Sequence, residues 1–186
     1  MKKAFPLVLI FLGLVFVGAG VYTGFRGLDA RDQVREELTA QDIVTPEDAT
    51  IPNTPVRDTA TAQSMANVIE KHSLEASGGL TYAEMGRFMT ADHDPAGTDD
   101  PAKAVTGADG KPVANPVRNT ALTAANLRTS LYTSVMAFEV GNLVIGLAVL
   151  IGTLGLAIAG LGVALAGLTI PAVARRFHVN PAAATA

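Results

Sequence analysis

The sequence predicts an all-α membrane protein: two transmembrane helices in a hairpin, with a mostly helical extracytoplasmic domain between them. Three observations carry this. Residues 4–25 form a run of 22 without a charge and residues 140–174 a run of 35, and about 20 apolar residues suffice to cross a hydrocarbon core. Charge is segregated, since residues 26–130 hold 10 of the 14 Lys/Arg and 16 of the 17 Asp/Glu, leaving about −6 on that segment. The 186-residue chain is 49 % hydrophobic and 17 % charged, whereas an ordinary soluble domain is about a quarter charged. A single soluble domain is thereby excluded. The absence of Cys also excludes a disulfide framework or a thiolate metal site.

The first run follows Met1-Lys2-Lys3 and is long enough to span. Its competitor is a cleavable signal peptide with Val17-Gly18-Ala19 as the small-residue site, but a signal core is normally only about 7–15 residues. An uncleaved anchor over residues 4–25 is the expectation. The charged stretch 28–41 is expected to continue that helix outward, with Val34, Leu38 and Gln41 toward one side.

Thr45-Pro46-Glu47-Asp48 reads as a short helical turn or a tight turn, with Thr at the cap and Pro at the first position. Asp58 is placed to cap a helix running to about Ser77, on which Met65, Val68, Ile69, His72 and Ala76 form an apolar stripe. Gly78-Gly79 should end it. Thr81-Tyr82-Ala83-Glu84 is a capping box, expected to open a further short helix through Phe88 and Met89. Residues 91–118 are rich in Pro, Gly, Asp and Thr and predict a long, mobile loop. Strand signals are weak, confined to Ile43-Val44 and Pro112-Val113.

The second run follows a polar interruption at Glu139 and Asn142 and stops at Arg175-Arg176. Its length exceeds a bilayer, and an ionised carboxylate deep in lipid is costly, so the Glu139 end should project. One helix over about residues 119–174 is expected. Positive residues beside short tails set orientation, and long polar segments cross regardless of charge. Lys2 and Lys3 before the first span, and Arg175, Arg176 and His178 after the second, therefore predict two cytoplasmic termini. The resulting organisation is a cytoplasmic N-terminus (1–3), a first span (4–25), an external domain (26–130), a long helix containing the second span (131–174) and a cytoplasmic tail (175–186).

The second span carries a face of small residues. Ala148, Gly152, Gly155, Ala159, Gly162 and Ala166 recur at alternating steps of four and three, and Leu147, Leu150, Leu154, Ile158, Leu161, Leu165 and Leu168 take the opposite side. In lipid, where apolar burial drives nothing, such faces let backbones approach and gain dispersion contacts. The first span offers Gly13, Gly20 and Gly24. The partner of this face is left open between the first span, a second copy and another membrane protein.

The segment MANVIEKHSLEASGGLTYAEMGRF, followed by RTSLYTSVMAF and the Gly/Leu-rich second span, resembles a family of actinobacterial two-span membrane proteins. REELTAQDIVTPEDATIP after the first span also fits that family's pattern. The resemblance implies a bacterial plasma-membrane location and the same topology. Members often carry a label as aromatic ring-opening dioxygenases. A non-haem iron site needs about three convergent ligands, two His and a carboxylate. Here His178 would lie across the membrane from His72 and His93, and the remaining set with Asp92 or Asp94 would draw on the excursion 91–118. The dioxygenase reading is disfavoured.

Asp92, Asp94, Asp99 and Asp100 lack the Gly and Glu spacing of an EF-hand, and solvated loop acids are the simpler reading. No nucleophile elbow or phosphate loop is present. An external charge of about −6 argues against nucleic acid as a partner. No catalytic, cofactor-binding or metal residue is assigned. Two functional readings follow. The first is a non-enzymatic structural or accessory subunit, bound to lipid and to another membrane protein or a second copy, that uses the small-residue face and the external helices. The second is an extracytoplasmic ligand-binding or sensing module, its ligand held near His72 and Tyr82.

Overall fold

The computed structural model describes residues 4–177, with side chains described as far as Gly167. The orientation-setting Lys2, Lys3 and His178, and the side chains of Arg175 and Arg176, lie outside that description. The regular elements are helices: α1 (Ala4–Ala40), α2 (Thr59–Ala76) and α3 (Pro116–Phe177), with 3-10 turns at Tyr82–Glu84 and Pro101–Lys103. The chain divides into two compact units, Met1–Ala30 with Val140–Ala186, and Arg31–Glu139.

In the first unit, α1 and α3 supply the two apolar stretches, each long and apolar enough to cross a membrane. Only 17 % of the most apolar part of α1 and 11 % of that of α3 is buried within the protein. That is the reverse of a soluble core helix. Phe11, Phe25, Leu150 and Leu156 stand 63–70 % exposed, a continuous apolar surface that calls for an apolar solvent.

In the second unit, Leu38 of α1, Ala62 and Ala66 of α2, and Leu131 and Phe138 of α3 enclose Val56 from the connecting loop. Val34, Met65, Ile69, Tyr132 and Val135 pack around them. The small residues at 62 and 66 bring α2 close to its neighbours, and polar ties fix the approach. Arg128 meets Glu70 at 2.7 Å, and the Tyr132 hydroxyl meets Asn67 Oδ1 at 3.0 Å.

Several local signals operate as the sequence predicts. Asp58 Oδ1 accepts from Thr61 N at 2.9 Å while Thr61 Oγ1 accepts from Asp58 N at 3.1 Å, a reciprocal cap at the start of α2. Gly78 and Gly79 take positive φ just past its end. Ile43-Val44 and Pro112-Val113 each contribute an isolated bridge, Val44 to Pro55 and Pro112 to Thr106. Thr45 does not cap a helix. Its hydroxyl, buried, is spent on the backbone of Thr54.

Two expectations need correction. The capping box at Thr81–Glu84 forms, but it opens only the 3-10 turn Tyr82–Glu84 and not a helix through Phe88 and Met89. From Met85 the backbone is extended, and Phe88 pairs with both Thr98 and Ala114. The excursion 91–118 is not a bare loop. Thr90 bridges to Ala104, Thr106 bridges to Pro112, and backbone bonds of 2.8–2.9 Å join Met89, Val105 and Val113. The long helix forms close to its expected start near residue 119: it begins at Pro116, because Asn115 caps it and Pro116 fills the first position, where a missing N–H costs nothing.

Candidate functional site

The small-residue face of α3 meets α1 within the first unit. A methyl group placed on Gly155 would lie 2.7 Å from both Gly13 O and Val17 N, and one on Gly13 would lie 2.5 Å from Ala159 N. On Gly20 it would sit 2.8 Å from Ala148 O and Gly152 N. On Gly162 it would sit 2.8 Å from Ile10 Cγ1 and 2.9 Å from Pro6 O. These separations leave no room for a side chain, so the two backbones are in direct contact.

Not every predicted position bears on the contact equally. Gly24 reaches Ala148 Cβ at an ordinary 3.5 Å, and a methyl on Gly152 would meet nothing within 4 Å. Ala166 is half-buried. Leu147, Leu150, Leu154 and Leu161 face outward.

Three contact residues, Pro6, Gly27 and Gly141, escaped the sequence reading. A methyl on Gly27 would lie 2.8 Å from Ile145 Cγ1 and 3.3 Å from Gly141 O. The signal was present as a strict spacing of seven: Pro6, Gly13, Gly20 and Gly27 on one helix, and Gly141, Ala148, Gly155 and Gly162 on the other, all buried. The layers pair 6 with 162, 13 with 155, 20 with 148 and 27 with 141, an antiparallel register. An unbroken seven-residue repeat winds a helix pair left-handed.

The second unit contains a groove of about 990 Å³ lined by all three helices. Val34, Leu38, Met65, Ile69, Leu127 and Leu131 make its apolar surface, with Glu36 and Glu37 as its charged groups. Its hydroxyl residues are less polar than they look. Ser130, Thr133 and Ser134 donate to the carbonyls of Asn126, Thr129 and Ser130 along their own helix.

His72 and Tyr82 are not brought together. His72 lines a smaller cleft of about 590 Å³ with Thr120 and Thr123 of α3. Tyr82 lies under the Arg118 guanidinium, 4.1 Å from its ring centroid, and Arg118 Nε donates to Met85 O. The Nε2 of His72 is 2.9 Å from Asp48 Oδ2, which also accepts from Lys71 Nζ at 2.8 Å. His93, at positive φ, sits exposed at a turn. Asp94, Asp99 and Asp100 accept from the backbone N–H groups of Ala96, Arg87 and Ala102. Among the described residues no three His, Asp or Glu side chains converge as metal ligands.

The hydrogen bond from Lys71, followed by that from His72, holds the Asp48 carboxyl down at about 2, against an ordinary value of 3.8. A carboxyl lowered in the folded state stabilises it above its unfolded pKa and loses that contribution as pH falls toward the folded one. Wild type should therefore be more stable than Asp48→Asn above pH 4, with the two unfolding curves converging as pH drops from about 4 toward 2. The group is exposed, so the difference will be small. A gap that stays constant through that range would remove Asp48 from the acid response.

No family model, curated protein or solved structure matches the chain.

Proposed function

We propose that the protein is a non-enzymatic accessory subunit of a bacterial plasma membrane. In this reading its two apolar helices form a transmembrane hairpin, both termini are cytoplasmic, and the Arg31–Glu139 unit stands outside. The resemblance to actinobacterial two-span proteins supports the location, and the positive residues at positions 2, 3, 175 and 176 support the orientation. The non-enzymatic part is supported by the use several candidate side chains already have: His72 is held by Asp48, and Asp94, Asp99 and Asp100 by backbone N–H groups.

The observation that carries the subunit reading is the contrast between two surfaces. The small-residue face, expected to receive a partner, is taken up by the chain's own α1. The apolar groove of about 990 Å³ in the other unit has no such cover among the described residues. Partner recognition is accordingly assigned to the external groove. A second reading, an extracytoplasmic ligand-binding module, is favoured by the volume alone, which falls in the usual range of about 300–1,000 Å³ for small-molecule sites. Purification in native nanodiscs followed by mass spectrometry separates them. A stoichiometric co-purifying protein supports the subunit. A lone chain carrying an extra mass of small-molecule size supports the module and overturns the subunit.

The orientation has its own test in this Cys-free chain. Ala108→Cys should react with an impermeant thiol reagent on intact cells, and Ala184→Cys should react only after the membrane is opened. The opposite pattern would invert the topology.

A further inference from the structure

We infer that the groove of the Arg31–Glu139 unit receives a short amphipathic helix of a partner protein, apolar on the inserted face and basic along the edge that meets Glu36 and Glu37. The inference rests on the subunit reading and specifies its partner.

Dimensions come first. On α3 the lining runs from Leu127 to Ala137, about 15 Å of helix axis at 1.5 Å per residue, or nearly three turns. The groove is open on one side, so a helix laid along it would keep its outer face in water. That is how an amphipathic helix docks in a groove between helices.

Chemistry narrows the occupant further. With Ser130, Thr133 and Ser134 bonded to their own helix, the remaining polar lining, Gln33, Glu36, Glu37 and Gln41, comes from α1 and the residue after it, and the rest of the wall is apolar. Leu127 stands 52 % exposed at the groove, an apolar side chain with no cover of its own. Among the described residues the charged lining consists of Glu36 and Glu37. An occupant with Lys or Arg on its edge gains two attractive contacts, and an acidic one is repelled.

The test uses the full chain in nanodiscs and a fluorescent synthetic peptide of about three helical turns, with Leu on one face and Lys on its edge. Anisotropy should show saturable binding. Leu127→Asp should weaken it by about tenfold or more, because the new carboxylate would be buried against an apolar face. Glu36→Gln with Glu37→Gln should weaken it about fivefold and remove most of its salt dependence. Met136→Asp, on the same helix and outside the groove, should change nothing. Absent binding, equal binding of a sequence-scrambled peptide, or indifference to Leu127→Asp would overturn the inference. If a natural partner co-purifies equally with wild type and Leu127→Asp, the groove assignment fails and the subunit reading stands. If the peptide binds as described but no partner co-purifies, the subunit reading fails and the groove stands.

Discussion

Gly155→Leu should separate the two apolar helices, whereas Leu154→Ala, one residue away, should leave them together. Any side chain at position 155 points at the backbone of Gly13 and Val17, where a single methyl group would already sit at 2.7 Å. Backbone cannot rotate aside as a side chain can. Forcing bulk into a packed contact costs about 1–3 kcal/mol, and the upper part of that range is expected against main chain in lipid. Gly13→Leu, on the opposite side of the same layer, should behave alike. Leu154 is half exposed, away from the close backbone contacts of the small-residue face, so its truncation forces no backbone apart.

The same chain supplies a reporter. Gly24 and Ala148 have Cβ positions 3.5 Å apart, at the short end of the range of about 3.5–4.5 Å for disulfides. Because the chain has no Cys, Gly24→Cys with Ala148→Cys gives one defined cross-link, read as thiols protected from a polyethylene-glycol maleimide. Adding Gly155→Leu to that pair should slow cross-linking strongly, and adding Leu154→Ala should not. Gly152→Ala is the sharper control, since it belongs to the predicted small face yet has open space around it. If Gly152→Ala and Gly155→Leu slow cross-linking equally, or Leu154→Ala slows it more, the contact is not where these distances place it.

How much of this was legible in the sequence depended on the range of the signal. The three long helices, the cap at Asp58, the glycine stop at 78–79 and the continuation of α1 past residue 25 follow from residues a few positions apart, and each forms as read. The small-residue face was visible on α3 because its steps of three and four repeat within one span. Its partner was not visible, because pairing Gly13 with Gly155 is a long-range fact. The spacing of Pro6, Gly13, Gly20 and Gly27 was nonetheless a local clue, masked by the more familiar Gly20-xxx-Gly24. The groove was not legible at all. It depends on which faces of three helices are left uncovered, and on serines and threonines whose hydroxyls turn back to their own helix. The failure between residues 85 and 115 has a different cause. Pro, Gly and Asp punctuate the segment so often that no alternation of apolar residues survives, yet isolated bridges need only single well-placed pairs.

Asn115 is the residue on which those bridges and α3 depend together, and Asn115→Ala should loosen both. It is 2 % exposed, and its amide makes four bonds. Oδ1 accepts from Val117 N at 3.0 Å and Arg118 N at 3.3 Å, capping α3. Nδ2 donates to Pro95 O at 2.9 Å and Gly86 O at 3.2 Å, holding the two sides of the bridged segment. Gly97 makes room for it, since a methyl there would lie 2.5 Å from Nδ2 and its φ of +61° disfavours other residues. Losing a cap costs about 0.5–2 kcal/mol, and leaving a buried acceptor unpaired about 1–3. The total expected for Asn115→Ala is about 2–4 kcal/mol. Hydrogen exchange locates the loss. Amides of Phe88, Met89, Val105 and Val113, which carry the bridges, should exchange at least about 30-fold faster, the equivalent of about 2 kcal/mol. Asn115→Asp separates the two roles. A carboxylate can still accept from Val117 and Arg118, so the first turn of α3 should stay protected. Its second oxygen would face the carbonyls of Gly86 and Pro95, so the bridge amides should exchange as fast as in Asn115→Ala or faster. Equal protection of the bridge amides in Asn115→Asp and wild type would show that the segment holds itself together without the asparagine.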